Sequence, residues 1–182
     1  MRIIGGRHRG LTLADIGNGD TAAHLRPTPD RVRESLFNVL MGYQLPHGAR
    51  VLDLFAGTGA LGLEALSRGA THVTFVENGR VGQKLIHNNI AKLKRSADTT
   101  ILKDDATRLG ISISQVDLVF LDPPYGKNLG SRAIQSAQEA GWLAPSAIIV
   151  WEEATPQPPP AGFTLRDQRR YGSTHITILE SP

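Results

Sequence analysis

From Arg50 onward, short apolar runs suited to strands alternate with stretches whose apolar residues recur at helical spacing. No other feature restricts this chain so strongly, because a repeated strand–helix alternation folds into an open α/β sheet whose strands run mostly parallel. The pattern predicts strands over 50–55, 73–77, 99–103, 116–121 and 147–152. A closing pair is expected over 163–171 and 174–179, with Gly172-Ser173 as its turn. Helices are expected over 60–68 and 80–95, the second with Val81, Leu85, Ile86, Ile90 and Leu93 on one face. Pro156, Pro158, Pro159 and Pro160 make 155–161 a stiff connection that cannot join a sheet.

The first 49 residues follow another pattern. Residues 2–4 and 11–13 are expected to pair as a small β-hairpin across the glycine-rich stretch 5–10, and 15–24 reads as a polar loop. Thr28-Pro29-Asp30 leads into a helix over 31–41 whose buried stripe is Val32, Leu36, Val39 and Leu40. The chain thus divides into a basic hairpin extension, 1–24, and one sheet domain, 25–182. No internal repeat interrupts it.

In an open parallel sheet, ligands bind beyond the carboxyl ends of the strands. Four candidate positions fall at such ends. Gly57-Thr58-Gly59-Ala60-Leu61-Gly62 matches the glycine fingerprint of a strand–helix turn, where the backbone can approach a ligand closely. Asp53, just before it, places a carboxylate where a methionyl ammonium would bind, and Phe55, Thr58 and Asn78 belong to the same pair of turns. Glu77 ends the second strand, 18 residues after Gly59, where a carboxylate accepts from both hydroxyls of a ribose. At the third strand's exit, Asp105 or the amide of Ala106 is placed to read an adenine amino edge.

The fourth position carries the chemistry. In Asp122-Pro123-Pro124-Tyr125, the Asp carboxylate and the Pro123 carbonyl are two acceptors for the two hydrogens of one exocyclic NH2. Pro124 stiffens the turn, and Tyr125 offers a face on which a flipped or unpaired base can stack. Together the motifs imply an amino-group methyltransferase that uses S-adenosylmethionine, with Asp122 touching both acceptor and cofactor. A nicotinamide-dependent oxidoreductase would share the glycine turn and Glu77 but leave the tetrapeptide unexplained. Adenine N6 in DNA and the side-chain amide of a protein glutamine would satisfy the same acceptors as a guanine, so they remain alternatives. An RNA-binding assembly factor without turnover would not need Asp53, Glu77 and Asp122 together.

Composition narrows the partners. Net charge is only +3, yet Arg2, Arg7, Arg9, Arg26, Arg31 and Arg33 crowd the beginning of the chain, an electrostatic footprint of nucleic-acid binding. The absence of cysteine excludes disulfides and thiolate metal sites. His8, His24, His47, His72, His87 and His175 lack metal-ligand spacing, so no metal is expected. Ser67 and Ser173 suggest no nucleophilic triad, and Asn88 and Asn89 read as solvated or capping groups on their helix. No apolar run approaches the ~20 residues that span a bilayer, and the first residues lack a signal-peptide core, so a cytoplasmic location is expected.

With these residues in hand, the chain resembles the RsmD family of bacterial methyltransferases that act on guanine N2 of 16S ribosomal RNA. The resemblance rests on Arg2-Ile3-Ile4-Gly5-Gly6-Arg7-His8-Arg9-Gly10, on Arg26-Pro27-Thr28, and on Arg31-Val32-Arg33-Glu34-Ser35-Leu36-Phe37-Asn38. It continues through Leu52-Asp53-Leu54-Phe55-Ala56-Gly57-Thr58-Gly59, Phe75-Val76-Glu77 and the Asp122 tetrapeptide. It implies a Rossmann-like class I methyltransferase: a seven-stranded, mostly parallel sheet with an antiparallel last strand. It further implies S-adenosylmethionine as donor and 16S rRNA on an assembling 30S subunit as substrate. Nothing in the sequence suggests an obligate dimer, so a monomer is expected. By position, Arg26 and Thr28 would lie over the cofactor near Asp122. The hairpin residues Arg2, Arg7, His8 and Arg9, with Arg31 and Arg33, would contact RNA. The chain departs from the family at position 8, where His replaces an aromatic residue, and in the long polar stretch 15–24.

Overall fold

A computed structural model describes residues 1–15 and 28–182. Seven strands form one sheet: β1 (Arg50–Leu54), β2 (His72–Val76), β3 (Thr99–Leu102), β4 (Val116–Leu121), β5 (Leu143–Glu153), β6 (Thr164–Tyr171) and β7 (Thr174–Glu180). Their spatial order is β3-β2-β1-β4-β5-β7-β6. The pairs β2–β3, β1–β2, β1–β4 and β4–β5 are parallel, whereas β7 runs antiparallel to both β5 and β6. The order reverses between β1 and β4, so the crevice above their carboxyl ends is the topological switch point.

The central strands are buried on both faces, and their alternation divides the core in two. Val51, Leu118, Phe120, Ile148 and Val150 face one layer with α1 (Asp30–Met41), α2 (Ala60–Ser67) and α3 (Arg80–Leu93). Leu52, Leu54, Val119, Leu121, Ile149 and Trp151 face the other, covered by α4 (Leu129–Glu139). Burial on both faces is why these strands read as continuous apolar runs rather than alternating ones. Phe37 of α1 packs at 5.7 Å, tilted, on Phe120, and the Arg68 guanidinium lies 4.9 Å above the same Phe37 ring.

Three expectations need correction. The helix α4 was not expected, because its buried residues, Gly130, Ala133, Ile134 and Ala137, are mostly too small to register as an apolar stripe. Small residues are required there: a Cβ at Gly130 would lie 2.4 Å from the Trp151 ring. The strand β5 begins at Leu143 rather than 147, its extra residues reaching past a register shift against β4. Asn89 is buried rather than solvated: its side-chain amide donates to Ala14 O and Thr58 O and accepts from Ala14 N.

The N-terminal segment pairs as expected, with an antiparallel bridge between Arg2 and Thr12 and a 3-10 turn over Gly6–His8. It is also docked tightly. The fully buried Glu64 accepts from Ile4 N and Gly5 N at 2.8 Å and from Arg68 Nε at 2.7 Å. Ser67 donates to Gly5 O and accepts from His8 N. Gly6, at φ 73°, passes so close that a Cβ would fall 1.9 Å from Ser67 O. Ile3 and Leu13 complete the contact by entering the same core as α1 and α2. The boundary expected at 24/25 lies outside the described residues.

Candidate active site

The sheet brings the four candidate positions together at one end. After β1, Phe55 (φ 57°), Gly57 (φ 56°) and Gly59 (φ 77°) adopt left-handed backbone and turn the chain sharply into α2. Gly62 and Gly82 keep this turn close to its neighbours. A Cβ at Gly62 would lie 2.5 Å from Phe75 and 2.9 Å from the Asp53 carboxylate, and one at Gly82 2.8 Å from Glu77.

Backbone amides orient the two cofactor-side acids. Glu77 accepts from Gly57 N at 2.8 Å and from Gly79 N at 2.7 Å, one on each carboxylate oxygen, which leaves each oxygen capacity for a further donor. Asp53 is buried and accepts from Gly62 N at 2.9 Å. Burial pushes its carboxyl up to about 8, with the Gly62 amide opposing and the nearby Glu77 charge adding to the rise. None of the described residues forms a salt bridge to Asp53, and a cationic ligand would relieve that cost. These acids and the glycine cradle fit the ammonium and ribose of S-adenosylmethionine. Thr58 is buried, with its carbonyl held by Asn89, and Asn78 is exposed.

At the β3 exit, Asp105 is exposed and turns back on its own loop. It accepts from Thr107 N and Thr107 Oγ1 at 2.8 Å, and the amide bond first of all holds its carboxyl below the usual range. Ala106 beside it is buried.

At the end of β4, Asp122 is half-buried and Pro123 buried, whereas Pro124 and the Tyr125 ring reach solvent. Burial drives the Asp122 carboxyl well above its ordinary range, and the charges of Glu152, Asp53 and Glu153 push it the same way. Glu152 and Glu153, at the carboxyl end of β5, are acidic neighbours of Asp122 that the sequence reading missed. Glu152 accepts from Tyr125 Oη at 2.9 Å and from Thr28 Oγ1 at 3.0 Å. Glu153 accepts from Gly126 N at 3.2 Å. Their only signal in the sequence was an acidic pair at the end of an apolar strand. Thr28 therefore does reach the crevice; Arg26 lies outside the described residues.

The basic residues spread farther. Arg31, one turn from Thr28, is exposed near the crevice. Arg7 and Arg9 are exposed on the hairpin tip, which docks at the C-terminal end of α2. Because α2 starts at the crevice and is about 12 Å long, the tip lies that far from the glycine turn. Arg2 is exposed and pairs with Asp30. Arg33 is not at the surface: it is fully buried and bonded to Arg2 O and Asp30, so its guanidinium buttresses the hairpin instead of facing a phosphate. His8 is partly buried, its ring disfavoured as a cation first by burial and then by Arg95 and Arg7. A surface cavity of about 470 Å³ lined by Arg108, Arg132 and Glu139 lies against α4 and contains none of the candidate residues.

Among the described residues no helix is long and apolar enough to cross a membrane, and no group of His, Cys, Asp and Glu is arranged to hold a metal ion.

Comparison with known proteins agrees with this geometry. The chain is 38% identical over 187 residues to ribosomal RNA small subunit methyltransferase D of Haemophilus influenzae, covering 100% of this chain and 94% of that one. It is 37% identical over 183 residues to the protein of the same name from Escherichia coli strain K12, covering 99% and 89%. Among solved structures, yhhF from Escherichia coli superimposes with a TM-score of 0.84 at 36% identity, covering 100% of this chain and 97% of that chain. A hypothetical protein of Thermus thermophilus superimposes with a TM-score of 0.75 at 25% identity, covering 98% of each. The family model described as Conserved hypothetical protein 95 matches residues 1–180, and the chain belongs to that family, the RsmD family of methyltransferases.

Proposed function

We propose that this protein transfers the methyl group of S-adenosylmethionine to the exocyclic N2 of a guanine in 16S ribosomal RNA, on an assembling 30S subunit. The observation that carries the reading is the placement of Asp122 and Pro123 at the end of β4, next to the glycine turn at the switch point, with the Tyr125 ring beside them. The two relatives named as small-subunit rRNA methyltransferases support RNA as the substrate class.

When bound, S-adenosylmethionine supplies an electrophilic methyl on a sulfonium leaving group. Asp53 and Glu77 would hold its ammonium and ribose. Asp122 Oδ and Pro123 C=O would accept the two hydrogens of the guanine NH2, favour a pyramidal nitrogen and aim its lone pair in line with the methyl. Fixing two reactants in this way can supply on the order of 7–11 kcal/mol of barrier reduction. The amino proton becomes strongly acidic once the new bond forms, and Asp122 or water takes it. A cation in the crevice also favours ionised Asp122, opposing the acids that push its carboxyl up. Tyr125 would stack on the extruded base.

Arg7 and Arg9, about 12 Å down the α2 face from the glycine turn, with Arg31 nearer the crevice, would bind phosphates of a folded RNA. The test is to incubate the protein with labelled S-adenosylmethionine and 30S subunits from cells lacking the endogenous enzyme, then identify the labelled nucleoside. N2-methylguanosine is expected. Label on another base would keep the chemistry and overturn the guanine assignment, and no label in RNA would redirect attention to DNA or protein amides.

A further inference from the structure

We propose that Glu152 is the positioning residue of the acceptor pocket, holding the Tyr125 ring and the Thr28 hydroxyl on its two carboxylate oxygens so that the tetrapeptide and the entry to α1 close around the base as one unit. The inference rests on the reading of the pocket given above and adds a residue to it. Glu152 is only 7% exposed, and no cation among the described residues pairs with it. A buried carboxylate without a cationic partner is costly, and folds retain such groups where a site needs them. Its two bonds are both to hydroxyls, from parts of the chain 27 and 124 residues away: Tyr125 Oη on Oε1 at 2.9 Å and Thr28 Oγ1 on Oε2 at 3.0 Å.

The bond to Tyr125 matters because the ring is the exposed end of an otherwise stiff turn. Pro123 and Pro124 fix the backbone on its N-terminal side, and Glu153 holds Gly126 N on the other. The side-chain torsions of Tyr125 are then the remaining freedom, and the phenolic bond to Glu152 removes it. A stacking platform works by presenting a fixed face, so ordering the ring before the base arrives lowers the cost of binding it productively. Thr28, immediately ahead of α1, is drawn against the same carboxylate and closes the opposite side.

The test compares wild type, Glu152→Gln, Tyr125→Phe and the double variant in methyl transfer to 30S subunits. It adds S-adenosylmethionine affinity by calorimetry and amide exchange of segment 122–128 by mass spectrometry. Each single change is expected to lower kcat by about tenfold or more, the loss of one hydrogen bond to a charged group. Glu152→Gln leaves one acceptor oxygen for two hydroxyls, so the double variant should lose less than the product of the two single losses, because the Tyr125 bond is common to both. Cofactor affinity should stay within about twofold, which separates positioning from general damage to the fold. Exchange should rise in Glu152→Gln in segment 122–128 and at the start of α1, the two parts that Glu152 holds, and stay unchanged elsewhere. Additive losses, a wild-type kcat in Glu152→Gln, or unaltered exchange would each overturn the proposal. If even wild type leaves the RNA unlabelled while exchange rises in the variant, the acceptor assignment has failed and the positioning role stands.

Discussion

The crevice and the N-terminal hairpin are built on opposite plans. In the crevice, acids come from the ends of adjacent strands: Asp53 on β1 and Glu152 and Glu153 on β5 are buried, and Asp122 after β4 is half-buried. In the hairpin, the cations Arg7 and Arg9 are exposed at the tip, while an acid, Glu64, lies buried beneath as the anchor. Buried acids are expensive and suited to cationic or amino-bearing ligands held at short range. Exposed arginines are cheap and act on phosphates through long-range attraction. On the function proposed above, the difference makes reaction and substrate capture separate parts of this molecule, about 12 Å apart along α2, so each should be open to damage without the other.

The sharpest break falls at Asp122. Asp122→Ala removes an acceptor for the amino group and a proton acceptor together, and methyl transfer should fall by roughly 10²–10⁴-fold. RNA affinity, measured by filter binding, should be unchanged, because the hairpin is untouched. If RNA affinity fell in parallel, the separation of the two regions would be wrong.

Asp53 gives a second break with a pH signature. Its carboxyl titrates near 8 when folded and near 3.8 when exposed, so the folded chain holds a proton that the unfolded chain releases. Its contribution to stability is therefore fully present below about pH 4 and is lost as pH rises through about 8. Asp53→Asn can keep the bond from Gly62 N without any charge, so its Tm should exceed that of wild type by a margin that widens up to pH 9. Binding should move the other way. Wild-type affinity for S-adenosylmethionine should improve as Asp53 ionises, and the variant should bind roughly 10–100-fold more weakly, having lost a charged partner. Calorimetry and thermal melts at pH 6, 7.5 and 9 check both, and a variant that binds normally would remove Asp53 from the cofactor site.

The two plans also explain what was legible in the sequence. The glycine turn, Asp53 and Glu77 could be placed because their geometry belongs to two successive strand ends and one sharp turn, with the backbone amides that hold the two acids 2, 9 and 20 residues away. The tetrapeptide was legible for the same reason. Glu152 was not, since its partners Thr28 and Tyr125 meet it only through the sheet order. Arg33 misled because side-chain type alone suggests exposure; Asp30 and the carbonyl of Arg2 let a guanidinium be buried. The helix α4 escaped because Trp151 fills the space over Gly130, which leaves little for an apolar stripe to do.

The smallest effects belong to the hairpin, and two substitutions test its charge and its docking separately. Arg7→Ala with Arg9→Ala removes two exposed cations without disturbing Glu64 or Ser67. If each neutralises one phosphate, the dependence of log affinity on log salt should flatten by roughly 1.5, while kcat at saturating RNA stays at the wild-type value. Gly6→Ala leaves every charge in place but puts a Cβ 1.9 Å from Ser67 O at a φ of 73°, so the tip must lift from α2. Lifting frees the arginines without deleting them. RNA affinity should fall less than in the double arginine variant, the salt slope should stay near the wild-type value, and amide exchange at Ile4 and Gly5 should rise as Glu64 loses them. An unchanged salt slope in the double arginine variant would remove the tip from the RNA interface and leave the exposed cations Arg31, three residues after Thr28, and Lys127, two after Tyr125, for the substrate backbone.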